Sequence, residues 1–523
     1  MERSGQIQHQ ALRRQIPIVV ATVVALAVVL LAAPGERAEA RKGKGAQDPP
    51  PPNIVLIMTD DQPAATVLPE AMPRLFDLLI DPGTSFSDYV VTTPLCCPSR
   101  ATTLTGQYGH NNGILRNNYD LLRGKRNLLP VWLQKVGYQT AHLGKFMNGY
   151  EKSAETPQTV APGWDRWFTQ LERRKYYHWK ASKNGRKQFY GTADEDHLTD
   201  VMNRLARRWA GKLASKRAPF YLQLDYFAPH GGAGRDSRCR AAPVPAPRDE
   251  GAFDGTQAPR PPSFNEADVS DKPSFIRSRP LMDEQTIERV DQRYRCTLES
   301  LLGVDRGIAE VHRKIAKAGE LNRTIFIFTS DNGYFFGEHR IPKGKEYPYD
   351  ENVRMPLTIL VPPAYRDEAP VQPTIDTAIA NVDLAPTILD LAGAEPCRNS
   401  RRCRTMDGRS LMPLLDGSGG FPDDRAFLIE LFDCSYRGVR TEGEFYLEHG
   451  RGPIEPRGGC KPTEIEHYDL GSDPFQLDNL YPAPRRSVDG RLELELVERM
   501  DELSECAGIP GRDPAPKSGA YCE

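Results

Sequence analysis

Apolar residues along this chain gather in short continuous blocks, and longer stretches of helical spacing separate the blocks. Residues 53–59 form one such block, rich in β-branched side chains. This predicts a strand buried on both faces, as in a parallel sheet. Residues 324–330 repeat the design, and residues 220–224 and 357–361 are shorter versions of it. Between them, helical spacing predicts helices over residues 128–136, 194–214, 283–318 (one long helix or two joined ones) and 384–391. Gly137 and Gly393 stand where the first and last of these should stop. Such alternation predicts an α/β protein, a mostly parallel sheet with helices on both faces.

Beyond residue 415 the pattern changes. Short alternating runs at 427–432, 436–440, 444–448 and 464–469 predict a small antiparallel sheet, followed by a helix over 492–503. Residues 231–280 are rich in Pro, Gly, Arg and Asp, which predicts a long surface excursion beside a substrate mouth. At the N-terminus, Arg13 and Arg14 precede an apolar run from Ile16 to Ala33, and Ala38-Glu39-Ala40 offers a cleavage site. The segment 1–40 reads as a secretory signal, with an uncleaved membrane anchor as the alternative. The expected organisation is then a flexible leader at 41–52, a catalytic α/β domain at 53–415 and a small α+β domain at 416–523.

A formal net charge of −2 leaves no global field for nucleic acid, so an anionic ligand needs a local cluster of cations. Ten cysteines fit an exported, oxidised protein. Proximity suggests Cys397 with Cys403, Cys434 with Cys460, Cys506 with Cys522, and Cys239 with Cys296, although connectivity does not follow from sequence. Cys96 and Cys97 are left over, and no zinc-type spacing is present.

Candidate chemistry concentrates in three places. Asp60-Asp61 follows the first predicted strand, and Asp331-Asn332 follows the 324–330 strand. Acidic and amide oxygens at two carboxyl ends of a parallel sheet would repel unless a hard cation such as Ca²⁺ or Mg²⁺ joins them. The third place is Cys96-Cys97-Pro98-Ser99-Arg100, continuing to Leu104-Thr105-Gly106. A cysteine at a helix start beside an arginine is expected as a thiolate or a tuned nucleophile.

That Cys-x-Pro-Ser-Arg text resembles the first hallmark of the formylglycine-dependent type I sulfatases. The order of features along residues 53–480 is similar to that family as well. Membership implies an alkaline-phosphatase-like fold and cleavage of a sulfate monoester. It implies that a separate formylglycine-generating enzyme converts Cys96, and that Asp60, Asp61, Asp331, Asn332 and modified Cys96 hold one divalent ion. Arg100 would stabilise the modified side chain, Lys145 and Lys345 would bind the sulfate (Lys343 competes for the latter role), and His230 would serve the ester oxygen. His339 could line the pocket. Met147 occupies a position where many arylsulfatases carry histidine. Gly144-Lys145-Phe146-Met147-Asn148 and Ala161-Pro162-Gly163-Trp164-Asp165 resemble instead the N-acetylglucosamine-6-sulfatase and heparan endosulfatase branch. The implied substrate is a sulfated sugar and the implied location extracytoplasmic, with membrane contact only through an uncleaved N-terminus. The alternatives are an aryl sulfate or phosphate/phosphonate ester hydrolase of the same fold, and an unmodified carbohydrate-binding relative.

Overall fold

The computed structural model describes residues 49–523 except 154–159, 172–173, 235–237, 367–369, 400–401, 432–434, 451–461, 482–489 and 518. The expected signal segment, most of the leader and the expected Cys434–Cys460 pairing lie outside the described residues.

In chain order the strands are β1 (Asn53–Thr59), β2 (Thr84–Phe86), β3 (Tyr89–Val90), β4 (Gln139–Gly144), β5 (Arg166–Gln170), β6 (Trp179–Lys183), β7 (Arg186–Tyr190), β8 (Phe220–Asp225), β9 (Thr324–Ser330), β10 (Leu357–Leu360), β11 (Thr374–Ile375), β12 (Ile379–Ala380), β13 (Phe427–Leu431), β14 (Tyr436–Arg440), β15 (Glu444–Gly450) and β16 (Pro462–Asp469). Ten of them make one mixed sheet in the order β11-β2-β10-β9-β1-β8-β4-β5-β6-β7. Its centre, β9-β1-β8-β4-β5, is parallel throughout. β10 reads as one more parallel strand in the sequence but runs antiparallel to β9. A parallel return needs a crossover of a dozen or more residues, usually helical. The link from β9 to β10 offers only the single turn Asp350–Val353.

Every residue of β1 and β9 is buried. Alternation along β1 sends Val55 and Ile57 to one face, where they meet the helices Leu198–Ala214 and Glu284–Lys317 through Leu205, Leu301 and Ile308. Ile54 and Leu56 point to the other face, against Leu104, Trp132 and Ile388 of the helices Cys96–Thr105, Leu129–Lys135 and Leu384–Ala392. Helices therefore cover both sides, as the alternation implies. The 283–318 pattern forms a single helix of 34 residues, whose cap Asp283 accepts the Thr286 N–H at 2.8 Å. Leu384–Ala392 ends at Gly393 with φ 59°, the left-handed stop its sequence implies.

Strands β13 to β16 form the antiparallel C-terminal sheet in sequence order. One of its faces packs Leu428, Val439 and Tyr446 on the Arg491–Ser504 helix through Leu496 and Met500. The other face packs Phe427, Ile429 and Phe445 on Val90, Leu95 and Val353. Cys239–Cys296, Cys397–Cys403 and Cys506–Cys522 are disulfide-bonded, and Cys96 and Cys97 are free and buried. Among the described residues no helix is long and apolar enough to cross a membrane.

Arg425, immediately before β13, donates to both carboxylate oxygens of the buried Asp383 at 3.0 and 3.1 Å. Asp383 also accepts the N–H groups of Ala380 and Arg409. Removing the guanidinium strands a buried charge, so Arg425→Ala should lower the unfolding free energy by about 3–5 kcal/mol. A shift of the urea midpoint checks this.

Candidate active site

Register builds the site. Thr59 pairs with Ser330, so the next residues, Asp60 and Asp331, emerge side by side. Met58 pairs with Asp225 and Gly144 pairs with the same aspartate, which sets the end of β8 and the start of the Lys145 loop at the same edge. Gly144 has φ 118°, and a Cβ there would stand 1.9 Å from the Asp225 carbonyl oxygen, so only glycine fits. Beyond β8 the chain runs through Phe227 to His230, which stack at 4.8 Å between ring centres. The Cys96–Thr105 helix is buried along its whole length and begins at Cys96 itself, after an extended Leu95.

These elements bring the nine sequence-predicted residues together. The Cys96 Sγ lies 3.5 Å from Asp60 Oδ1 and 3.9 Å from Asp61 Oδ1, and Lys345 Nζ donates to it at 2.6 Å. Lys345 also donates to Asp61 Oδ1 at 2.5 Å, and Lys145 Nζ pairs with Asp60 Oδ2. Asn332 Nδ2 donates to Asp61 Oδ1 at 2.8 Å. The Asp61 N–H donates to Asp331 Oδ1 at 3.2 Å, and His230 Nε2 lies 3.5 Å from Asp61 Oδ2. Arg100 Nε donates to Asp331 Oδ2 at 2.8 Å and Nη1 to the Lys145 carbonyl at 2.9 Å. Arg100 thus ties β9 to the Lys145 loop. Lys343 stays exposed outside this cluster, and Lys345 takes the inner place. His339 is buried elsewhere: it bonds Glu266 at 2.8 Å and stacks on Tyr349, so it does not line the pocket.

The Sulfatase family model matches residues 52–394. The extracellular sulfatase Sulf-1 homolog of Caenorhabditis elegans is 33% identical over 373 residues, which is 69% of this chain and 49% of that protein. The chain belongs to the sulfatase family. Human N-acetylglucosamine-6-sulfatase is 28% identical, covering 88% of this chain and 86% of its own length. A solved protein in complex with D-glucosamine-2-N,6-O-disulfate shares the fold at TM-score 0.66 and 24% identity, covering 87% of this chain and 97% of that one. The family is one of sulfuric ester hydrolases. The chain spans about half the length of its worm relative.

Electrostatics explains how this cluster tolerates so many carboxylates. Two like charges 4 Å apart repel by about 4 kcal/mol at an effective dielectric constant of about 20. Burial, with Asp331 beside it, pushes the Asp60 carboxyl up to about 7 although Lys145 pulls it down. Burial also works to raise Asp61, but Lys345, His230 and Lys145 outweigh it and hold that carboxyl well below the usual range. Burial opposes the charge of Lys345 and Lys145, yet the aspartates keep both protonated. Burial, reinforced by the two lysines, lowers His230 to about 3 despite Asp61. Its Nδ1 meets the Gly231 carbonyl at 2.7 Å, so the neutral ring carries its proton there and turns a lone pair at Nε2 toward the site. Asp60, Asp61, Cys96 and His230 each offer a ligand atom within 4.8 Å of the others, and Asn332 Oδ1 is buried without a hydrogen-bond partner. That oxygen-rich set fits a hard divalent ion.

Two parts of the site escape the sequence reading. Asp225 has Arg100 at 3.6 Å, bonds His142 at 2.9 Å and accepts from Gln223 at 2.8 Å. Its signal was available: three buried strands run into aspartate at the same edge. The other is a cavity of about 300 Å³ above Cys96, walled by Phe146, Tyr150 and Phe227, with Asn117, Asn148 and Gln170 supplying amides. Met147 lines it too, and the Asn148 carbonyl accepts from the Cys97 thiol at 3.8 Å. Its walls come from loops whose composition carries no periodic signal.

The thiolate expected at a helix start is not what the structure supports. Burial pushes the Cys96 thiol up to about 12, Lys145 and Lys345 pull it down without prevailing, and Asp60 and Asp331 add to the rise. A raised thiol stays neutral until the pH passes its pKa. In protein whose Cys96 is still cysteine, the alkylation rate should therefore climb about tenfold per pH unit from 7 to 10. Iodoacetamide kinetics with peptide mapping check this, and a plateau below pH 9 contradicts it.

Proposed function

We propose that the chain removes a sulfate monoester from a sulfated sugar, using formylglycine made from Cys96 and one Ca²⁺ or Mg²⁺ held by Asp60, Asp61, Asp331, Asn332 and residue 96. The observation that carries this reading is the meeting of Cys96, two lysines and the strand-end carboxylates at the base of a sugar-sized cavity. Apolar rings beside amide groups suit the CH faces and hydroxyls of a saccharide. Relatives named N-acetylglucosamine-6-sulfatase and extracellular sulfatase point the same way for substrate and for export. A formylglycine-generating enzyme is the transient partner such a site requires.

Hydrated formylglycine supplies an oxygen nucleophile, and the divalent ion supplies a Lewis acid that screens the sulfate charge. The chain's own residues do the rest. Lys145 and Lys345, both charged, take two sulfate oxygens and gather negative charge as it develops. Arg100 fixes Asp331 and the Lys145 backbone, and so positions both. His230 Nε2 exchanges a proton with the ester oxygen. The resting ring is neutral, and an arriving sulfate offsets the lysine charges that depress it, so substrate binding raises its affinity for a proton.

Peptide mass spectrometry across residue 96 of protein from its own host should find formylglycine; a plain thiol there would favour the carbohydrate-binding relative. Cys96→Ala should cut kcat/KM by at least about 10³-fold, since the nucleophile is gone. N-acetylglucosamine 6-sulfate should turn over faster than an aryl sulfate or its phosphate analogue, and the reverse order would favour the ester-hydrolase alternative.

Metal removal provides a separate prediction. Chelated protein titrated with Ca²⁺ should gain about 2.7 kcal/mol of stability once the ion reaches a hundredfold excess over its dissociation constant. Asp61→Asn should flatten that response in thermal melts.

A further inference from the structure

A second cavity, of about 920 Å³, opens beside the first, and Arg174, His230, Lys345 and Glu346 line both. Its wall carries Arg174, Arg240, Arg293 and Lys343, against the carboxylates Asp61 and Glu346, and Asp61 is already paired with Lys345. Among the described residues none of those four cations has a carboxylate partner. The floor is Gly231, Gly232, Ala233 and Gly234, which leaves the volume open. The wall is built rather than incidental. Cys239 is disulfide-bonded to Cys296 on the Glu284–Lys317 helix, which fixes the loop bearing Arg240. Arg293, one turn earlier on that helix, donates to the Ala241 carbonyl at 2.7 Å and lies over the Tyr334 ring. Arg174 holds φ 60°, a left-handed conformation that is unfavourable for a residue with a Cβ and persists where its surroundings hold it.

We infer that this basic cavity is a subsite for further anionic groups, sulfate or carboxylate, on the same saccharide chain whose sulfate ester lies at Cys96. The substrate class is then a polyanionic oligosaccharide, not an isolated sulfated sugar. The inference rests on the sulfated-sugar reading above and adds what lies beyond the reacting unit. Unpaired cations around an open volume attract a chain of fixed negative charges, and salt weakens the attraction as the screening length falls to about 8 Å at physiological ionic strength.

The test uses the full chain with Arg240→Ser and Lys343→Ser together, two exposed side chains outside the reacting cluster. Three substrates carry the same sulfated sugar: alone, on a neutral oligosaccharide, and on an oligosaccharide bearing additional sulfates and carboxylates. For the anionic chain, KM should rise about tenfold, the loss expected for two rim charges of ordinary strength, while the other two substrates change by less than about twofold. Binding of the anionic oligosaccharide to protein carrying Cys96→Ala, followed by calorimetry, should weaken by a similar factor. Raising salt should erase the difference. Equal changes on all three substrates, or unchanged binding, overturn the subsite. If no sulfate ester is turned over by the parent protein but the binding loss appears, the hydrolase reading fails and the subsite stands.

Discussion

The structure depends on the gathering of Asp60, Asp61, Asp225 and Asp331 at the carboxyl edge of four parallel strands, and on the cations that make this tolerable. Strand register alone forces the convergence, because β9, β1, β8 and β4 end at matching levels. Arg100 answers it from the opposite side, reaching three of those strand ends from a helix with no exposed residue. The two lysines arrive on separate loops and neutralise Asp60 and Asp61. Strand pairing, helix placement and loop closure are therefore coupled through charge. Loss of one partner leaves the others buried and uncompensated, which is far more costly than losing a surface ion pair.

Much of this was legible in the sequence, and for specific reasons. β1 and β9 were visible because strands buried on both faces must be continuously apolar. Gly393 marked a helix end because a left-handed stop is a local requirement, whereas the Asp283 cap emerges only in the structure. The three disulfides among the described residues join cysteines that proximity had paired. Other elements were hidden. β6 and β7 read Trp-Lys-Ala-Ser-Lys and Arg-Lys-Gln-Phe-Tyr, polar enough to pass for loop, because they lie at the sheet edge with one side toward water. The direction of β10 depends on its connection, not its composition. The free energy of a thiolate or an imidazolium depends on burial by distant segments, so the ionisation of Cys96 and His230 could not be read from their neighbours in sequence.

The two halves of the chain also share their interior. Phe427 and Ile429 of the C-terminal sheet pack in the same cluster as Leu95, the residue that precedes Cys96. The small sheet therefore supports the first turn of the Cys96–Thr105 helix from behind, and its stability and that of the candidate site are linked through one apolar contact surface.

Cys96 is 1% exposed and sits in a helix with no exposed residue. A macromolecular catalyst needs several residues of extended chain around its target, and here those residues form a helix buried along its whole length. Any enzyme that alters position 96 must therefore reach the polypeptide before it folds. If residue 96 is modified as proposed above, the modification and the collapse of the nascent chain compete in time, and a molecule that folds first keeps its thiol out of such an enzyme's reach.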